Sequence, residues 1–158
     1  MAKIFTFFLC ITLTMAVGAV SGIATAGGID DWFYALNKPF FNPPSAVFGP
    51  VWTLLYLLMG ISLYLILSPT SSPLRTKAII IFGVQLALNF VWSFLFFKYR
   101  LLGFAFIEIV LIWVSIVFMI NSFYSVNKKA AYLQIPYLVW VSFATLLNGS
   151  IWFLNRSI

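Results

Sequence analysis

Five long apolar runs joined by short polar segments constrain this chain more than any other feature. They extend from Ile4 to Ala26, Ala46 to Leu67, Ala78 to Phe97, Leu102 to Ser122 and Ala130 to Leu154, and only the fourth holds a full charge, Glu108. A helix needs about 20 mostly apolar residues to cross the hydrocarbon of a bilayer. Helices suit that solvent because each satisfies its own backbone donors and acceptors. The expected fold is an all-α integral membrane protein, one five-helix bundle over residues 1–158. Composition agrees: 63% of residues are hydrophobic and 8% charged, whereas a soluble domain carries about 25% charged residues.

The joints carry turn chemistry. Ser68-Pro69-Thr70-Ser71-Ser72-Pro73 closes the second run, Lys98 to Leu101 makes a tight corner, and Asn127-Lys128-Lys129 precedes the fifth. Only Gly27 to Ser45 is long, and with Trp32, Lys38, Pro39, Pro43 and Pro44 it reads as an ordered interfacial loop. Pro136, near the start of the fifth run, lacks a backbone donor and is expected to kink that helix. The first run admits a second reading. Lys3, an apolar stretch and Ala24-Thr25-Ala26 resemble a secretory signal with its cleavage site. Its length argues against this, as does the Gly18-x-x-x-Gly22 spacing, which suits close helix packing.

Five crossings put the termini on opposite sides. Lys3, Arg75, Lys77, Lys128 and Lys129 share the N-terminal side, facing Lys38, Lys98, Arg100 and Arg156 on the other. The positive-inside rule then favours a cytoplasmic N-terminus. The net charge of +6 reads as loop charges touching lipid headgroups, not as a nucleic-acid surface. Histidine is absent and Cys10 is the lone cysteine, which excludes an intrachain disulfide and a His-ligated haem or zinc site. No cofactor is expected. An odd number of spans without an internal repeat does not suit a two-half inverted-repeat transporter.

Depth counting singles out one layer. Measured from the side of the long loop, Trp52, Asn89, Trp92, Glu108 and Asn148 lie five to eight residues into their helices, roughly 8 to 12 Å below one surface. Helical spacing refines the layer: Trp52 and Tyr56 share a face, as do Gln85, Asn89 and Trp92, and Tyr137, Trp140, Ala144 and Asn148. Facing inward, these stripes enclose an aromatic pocket with amides and one carboxyl, suited to a flat, mostly apolar ligand. Each residue also has a plainer reading. Trp113 and Trp152 fit packing or an interfacial belt, Gln85 and Asn89 fit interhelical hydrogen bonds, and Glu108 fits a structural carboxyl. Gly83 and Ala87 fit either a homodimer seam or packing within the bundle. Catalytic triads, paired carboxylates, phosphate loops and metal-ligand clusters are missing from the sequence, which argues against conventional acid-base or hydrolytic catalysis.

These residues carry a family resemblance. Trp32-Phe33-Tyr34-Ala35-Leu36-Asn37-Lys38-Pro39, Pro43-Pro44 and Phe48-Gly49-Pro50-Val51-Trp52 through Tyr56 and Met59-Gly60 closely resemble the loop and second helix of the translocator protein family, also called tryptophan-rich sensory protein or peripheral-type benzodiazepine receptor (TspO/MBR). Gln85 to Ser93 and Pro136 to Asn148 agree with its third and fifth helices.

The resemblance implies a five-helix receptor, often a homodimer, that binds protoporphyrin IX and related tetrapyrroles and in some members sterols and benzodiazepine-type drugs. It assigns the ligand pocket to Trp32, Pro44, Trp52, Tyr56, Asn89, Trp92, Glu108, Trp140, Ala144 and Asn148. It also implies porphyrin transport as an alternative to sensing. Light-dependent porphyrin breakdown is a third option, with Trp52 and Trp140 matching the tryptophans implicated. A proposed sterol motif of animal members requires a Tyr where this chain has Gly149, so sterol recognition is not expected. The compact termini and the lack of an animal-type tail imply a bacterial member of the cell envelope.

Overall fold

The computed structural model describes residues 2–156. All regular structure in these residues is helical. Five helical stretches are long and apolar enough to cross a membrane: Lys3–Ala26, Ser45–Leu67, Pro73–Lys98, Leu102–Tyr124 and Lys128–Asn155. They comprise α1 (Ala2–Ala26), the short interfacial α2 (Asp31–Ala35), α3 (Phe48–Leu67), α4 (Pro73–Ser93), α5 (Leu102–Tyr124), the one-turn α6 (Lys128–Tyr132) and α7 (Ile135–Asn155). Around the bundle the long helices follow the order α3, α1, α4, α5, α7, and α6 bridges α5 to α3 at the end away from the long loop.

Two boundaries differ from the sequence expectation. The third span begins at Pro73, not Ala78. Ser72 caps it by accepting from the Arg75 amide at 3.2 Å, and proline fits the first turn, where its missing donor costs nothing. Arg75 and Lys77 therefore ride on the helix, their long stems reaching back to the interface. The fifth span is broken at Leu133–Gln134, between α6 and α7. Pro136 falls in the first turn of α7, so it starts a new helix instead of bending a continuous one.

A π-turn at Phe94–Lys98 ends the third span, with the Tyr99 amide donating to the Phe94 carbonyl at 2.8 Å. Arg100 follows with φ 58°, a left-handed conformation that reverses the chain into α5.

Close packing concentrates in the half remote from the long loop. Met59, Ile66, Ile116, Met119 and Phe123 are fully buried there, and Phe82 stacks on Phe123 with centroids 6.1 Å apart. Gly60 lets α1 approach α3, since a Cβ there would come within 2.7 Å of the Ile11 backbone. Thr14 seals that seam, its hydroxyl donating to the Tyr56 carbonyl at 2.8 Å. Gln134 Nε2 donates to Ser62 Oγ at 2.6 Å, and Ser62 donates to the Ala130 carbonyl at 3.1 Å, tying α3 to the α6–α7 break.

Candidate functional site: a cavity beneath the loop

The other half of the bundle is hollow. A cavity of about 530 Å³ lies under the long loop, walled by α1, α3, α4, the π-turn, α5 and α7. Its floor is a polar knot of three helices. Tyr56 donates to Asn89 Oδ1 at 2.5 Å, Asn89 Nδ2 donates to the Tyr137 hydroxyl at 2.8 Å, and Gln85 Nε2 donates to the same hydroxyl. The Trp52 indole lies tilted over Tyr56, 5.7 Å between centroids, and meets Tyr137 edge-on at 6.2 Å. The floor is thus aromatic above and hydrogen-bonded below.

Higher up, polar groups of the wall are buried without partners. Asn148 is 2% exposed, yet neither its Nδ2 nor its Oδ1 has a hydrogen-bond partner, and the buried indole nitrogens of Trp92 and Trp140 also lack one. A buried unpaired polar group costs roughly 1–3 kcal/mol. With the buried Ser21 hydroxyl, which also lacks a partner, four such residues belong to the wall of one cavity and make it the place to look for a ligand's polar atoms. No Lys, Arg, Asp or Glu is among the lining residues.

Seven of the ten sequence-nominated residues line the cavity: Trp52, Tyr56, Asn89, Trp92, Trp140, Ala144 and Asn148. The other three stand behind it. Trp32 packs edge-on against the lining residue Phe96, 6.3 Å between centroids, with the Arg100 guanidinium 5.1 Å above its ring. Pro44 lies between the lining residues Pro43 and Ser45 and opens the turn that leads into α3. Glu108 is half-buried but sits about 60° around α5 from the stripe of Ala105, Ile109 and Ile112 at 100° per residue. Of that stretch, Ile109 and Ile112 face the cavity. Residues not foreseen are Gly18, Gly22 and Ala19 of α1 and Phe96 and Phe97 of the π-turn. The Gly18–Gly22 spacing was the available signal for α1. Gly18 packs on Tyr56, where a Cβ would fall 2.4 Å from the ring, whereas Gly22 faces open space.

The loop is pinned down as a roof. Asp30 caps α2 and forms an ion pair with Arg100 at 2.5 Å. The Asn37 amide donates to Asn155 Oδ1 at 3.0 Å, and Asn155 Nδ2 donates back to the Asn37 carbonyl at 2.9 Å. Lys38 donates to the Phe33 and Leu36 carbonyls and lies 4.5 Å above the Phe33 ring, and partial burial lowers its pKa. Gly28 is required beneath, since a Cβ there would meet the Phe97 carbonyl oxygen at 2.6 Å.

The TspO/MBR family model matches residues 10–153. The chain belongs to the TspO/MBR family. Among relatives, the tryptophan-rich protein TspO of Chlorobaculum tepidum is 38% identical over 97% of this chain and 98% of its own. The tryptophan-rich sensory protein of Cereibacter sphaeroides is 33% identical over 89% and 87%. The human translocator protein is 37% identical over 77% and 73%. This TspO/MBR chain is a multi-pass membrane protein whose five spans follow the expected order. At Gly149 a Cβ would lie 2.8 Å from the Phe106 ring, so a larger side chain would have to displace that ring.

Proposed function

We propose that this protein is a membrane receptor that binds porphyrins of the protoporphyrin IX type, or similarly flat apolar ligands, in the cavity beneath its loop. The observation that carries this reading is the set of unpartnered groups on Trp92, Trp140 and Asn148 in an uncharged aromatic cavity. A ligand with a large π-face and a few acceptors stacks on the indoles and satisfies those donors. An anionic side arm finds no cation inside, so a porphyrin's carboxylates must project toward the interface. The name of the Cereibacter relative, a sensory protein, fits a receptor; carriage of the ligand across the membrane is the alternative.

The test is a titration with protoporphyrin IX in detergent, read by tryptophan quenching and the Soret band, beside Trp52→Phe/Trp140→Phe. Saturation near one ligand per chain, weakened in the double variant, is expected. Uptake that never saturates and is equal in both proteins would reduce the cavity to a packing defect. Illumination of the complex tests photochemical breakdown: bleaching that needs light and oxygen and disappears in the double variant would assign it to these indoles.

Two further expectations accompany this reading. A second copy would dock on the exposed α4 face at Gly83 and Ala87, where Ile80 and Val84 are also exposed and Gly83 has open space above it. The N-terminus would be cytoplasmic in a bacterial envelope, with the roof on the outer side.

A further inference from the structure

We propose that ligands enter this cavity from the bilayer, edge-on through a slit between α1 and α3 in the leaflet beneath the roof. The proposal rests on reading the cavity as a ligand site. The exposed residues among its lining come from two short stretches only: Ala19, Gly22 and Ala26 of α1, and Ser45, Gly49 and Thr53 at the start of α3. All are small. A Cβ added to Gly22 or Gly49 would meet nothing within 4 Å, so no neighbouring side chain covers either edge.

The same two helices are locked lower down by Thr14 on the Tyr56 carbonyl, Gly60 against Ile11 and Gly18 against Tyr56. They are held together at the floor, and the exposed part of the lining begins above it. The slit starts at the interface and reaches about 10 Å into the hydrocarbon, the rise over the seven residues from Ala26 to Ala19.

Its edges are mostly apolar. Thr25 donates to the Ser21 carbonyl at 2.9 Å and Thr53 to the Gly49 carbonyl at 2.9 Å. Both threonine hydroxyls are turned back onto their own helices, where they compete for no passing ligand, and the exposed Ser45 sits at the mouth. The aqueous route is obstructed by contrast: lifting the roof breaks the Asp30–Arg100 pair, the paired bonds of Asn37 with Asn155 and the Lys38 contacts. An apolar flat molecule is already concentrated in the bilayer, so a lateral opening with slim walls is the shorter path.

The experiment uses the full chain in nanodiscs, with Cys10→Ala and a cysteine at the cavity residue Ala144 (Ala144→Cys). Labelling by a lipid-dissolved pyrene maleimide is timed against a charged, water-borne thiosulfonate. We expect the apolar reagent to be faster, and Gly22→Trp or Gly49→Trp to slow it by about tenfold or more by filling the slit. Asn155→Ala, which unpins the roof, is expected to leave the rate within about twofold. Unchanged labelling in both tryptophan variants, or strong acceleration by Asn155→Ala, would overturn the lateral route. Because no porphyrin is present, this result is independent of the titration above: a cavity that labels from the lipid yet does not saturate with porphyrin keeps the portal and rejects the ligand class.

Discussion

The half of the bundle under the loop and the half remote from it are built from the same five helices and obey opposite rules. In the remote half, large side chains such as Met119 and Phe123 are fully buried, and Gln134 Nε2, Ser62 and Thr14 each hold a partner on a neighbouring helix, with Gln134 Oε1 left over. In the loop half the helices enclose the cavity, and Asn148, Trp92 and Trp140 are left with unmet hydrogen-bonding groups. Helices in lipid gain little from burying apolar surface against one another and depend on contact and polar pairing. One half therefore supplies the cohesion that allows the other to stay open. Stability and binding should separate along this line.

The comparison can be broken most sharply by hollowing the closed half. Phe123→Ala removes a fully buried ring stacked on Phe82 and should cost about 3–5 kcal/mol, read from denaturant unfolding in mixed micelles. A cost below that of Trp140→Phe would mean the two halves are not different in kind. Next comes the pair of glycines on α1. Gly18→Ala drives a methyl into the Tyr56 ring and should cost roughly 1–3 kcal/mol, whereas Gly22→Ala, facing open space, should stay within about 0.5 kcal/mol. Equal effects would mean that α1 is not packed at Gly18 and free at Gly22.

Smaller in magnitude but more diagnostic is Asn148→Leu. Replacing a buried amide that has no partner with an apolar side chain of similar volume should leave stability unchanged or raise it by about 1 kcal/mol. The same variant should bind porphyrin less well in the quenching titration, and a stability loss instead would assign Asn148 to structure. Smallest is Asp30→Asn. The Asp30–Arg100 pair is 45% exposed on both sides, so its loss should shift stability by less than about 1 kcal/mol, with the shift fading as salt is raised.

Depth was legible in the sequence; angle was not. Counting residues from the helix ends puts Trp52, Asn89, Trp92, Glu108 and Asn148 in one layer, and four of the five line the cavity. Glu108 shares the height but not the heading, because the α5 stripe that faces inward is fixed by contacts with α4 and α7 that no single helix encodes. Charge misled at Arg75 and Lys77, which look like loop residues until the Ser72 cap and Pro73 are weighed together. The break at Leu133–Gln134 has its signal in Pro136, which fits the first turn of a new helix as well as a kink in a continuous one, and the sequence alone does not separate the two. The contribution of α1 was half visible: its paired glycines announced a close contact, and only one of them makes it.

The π-turn at Phe94–Lys98 is where a helix carries one residue more than its α-helical path would need. The extra residue is absorbed within the wide turn, so the flanking residues keep the headings of an ordinary helix. Deleting Phe96 or Phe97 would therefore leave Arg100 beside Asp30 and take one ring from the wall that these two form beneath Trp32 and Phe33. What the added residue supplies is aromatic surface under the roof, not the latch that holds the roof down.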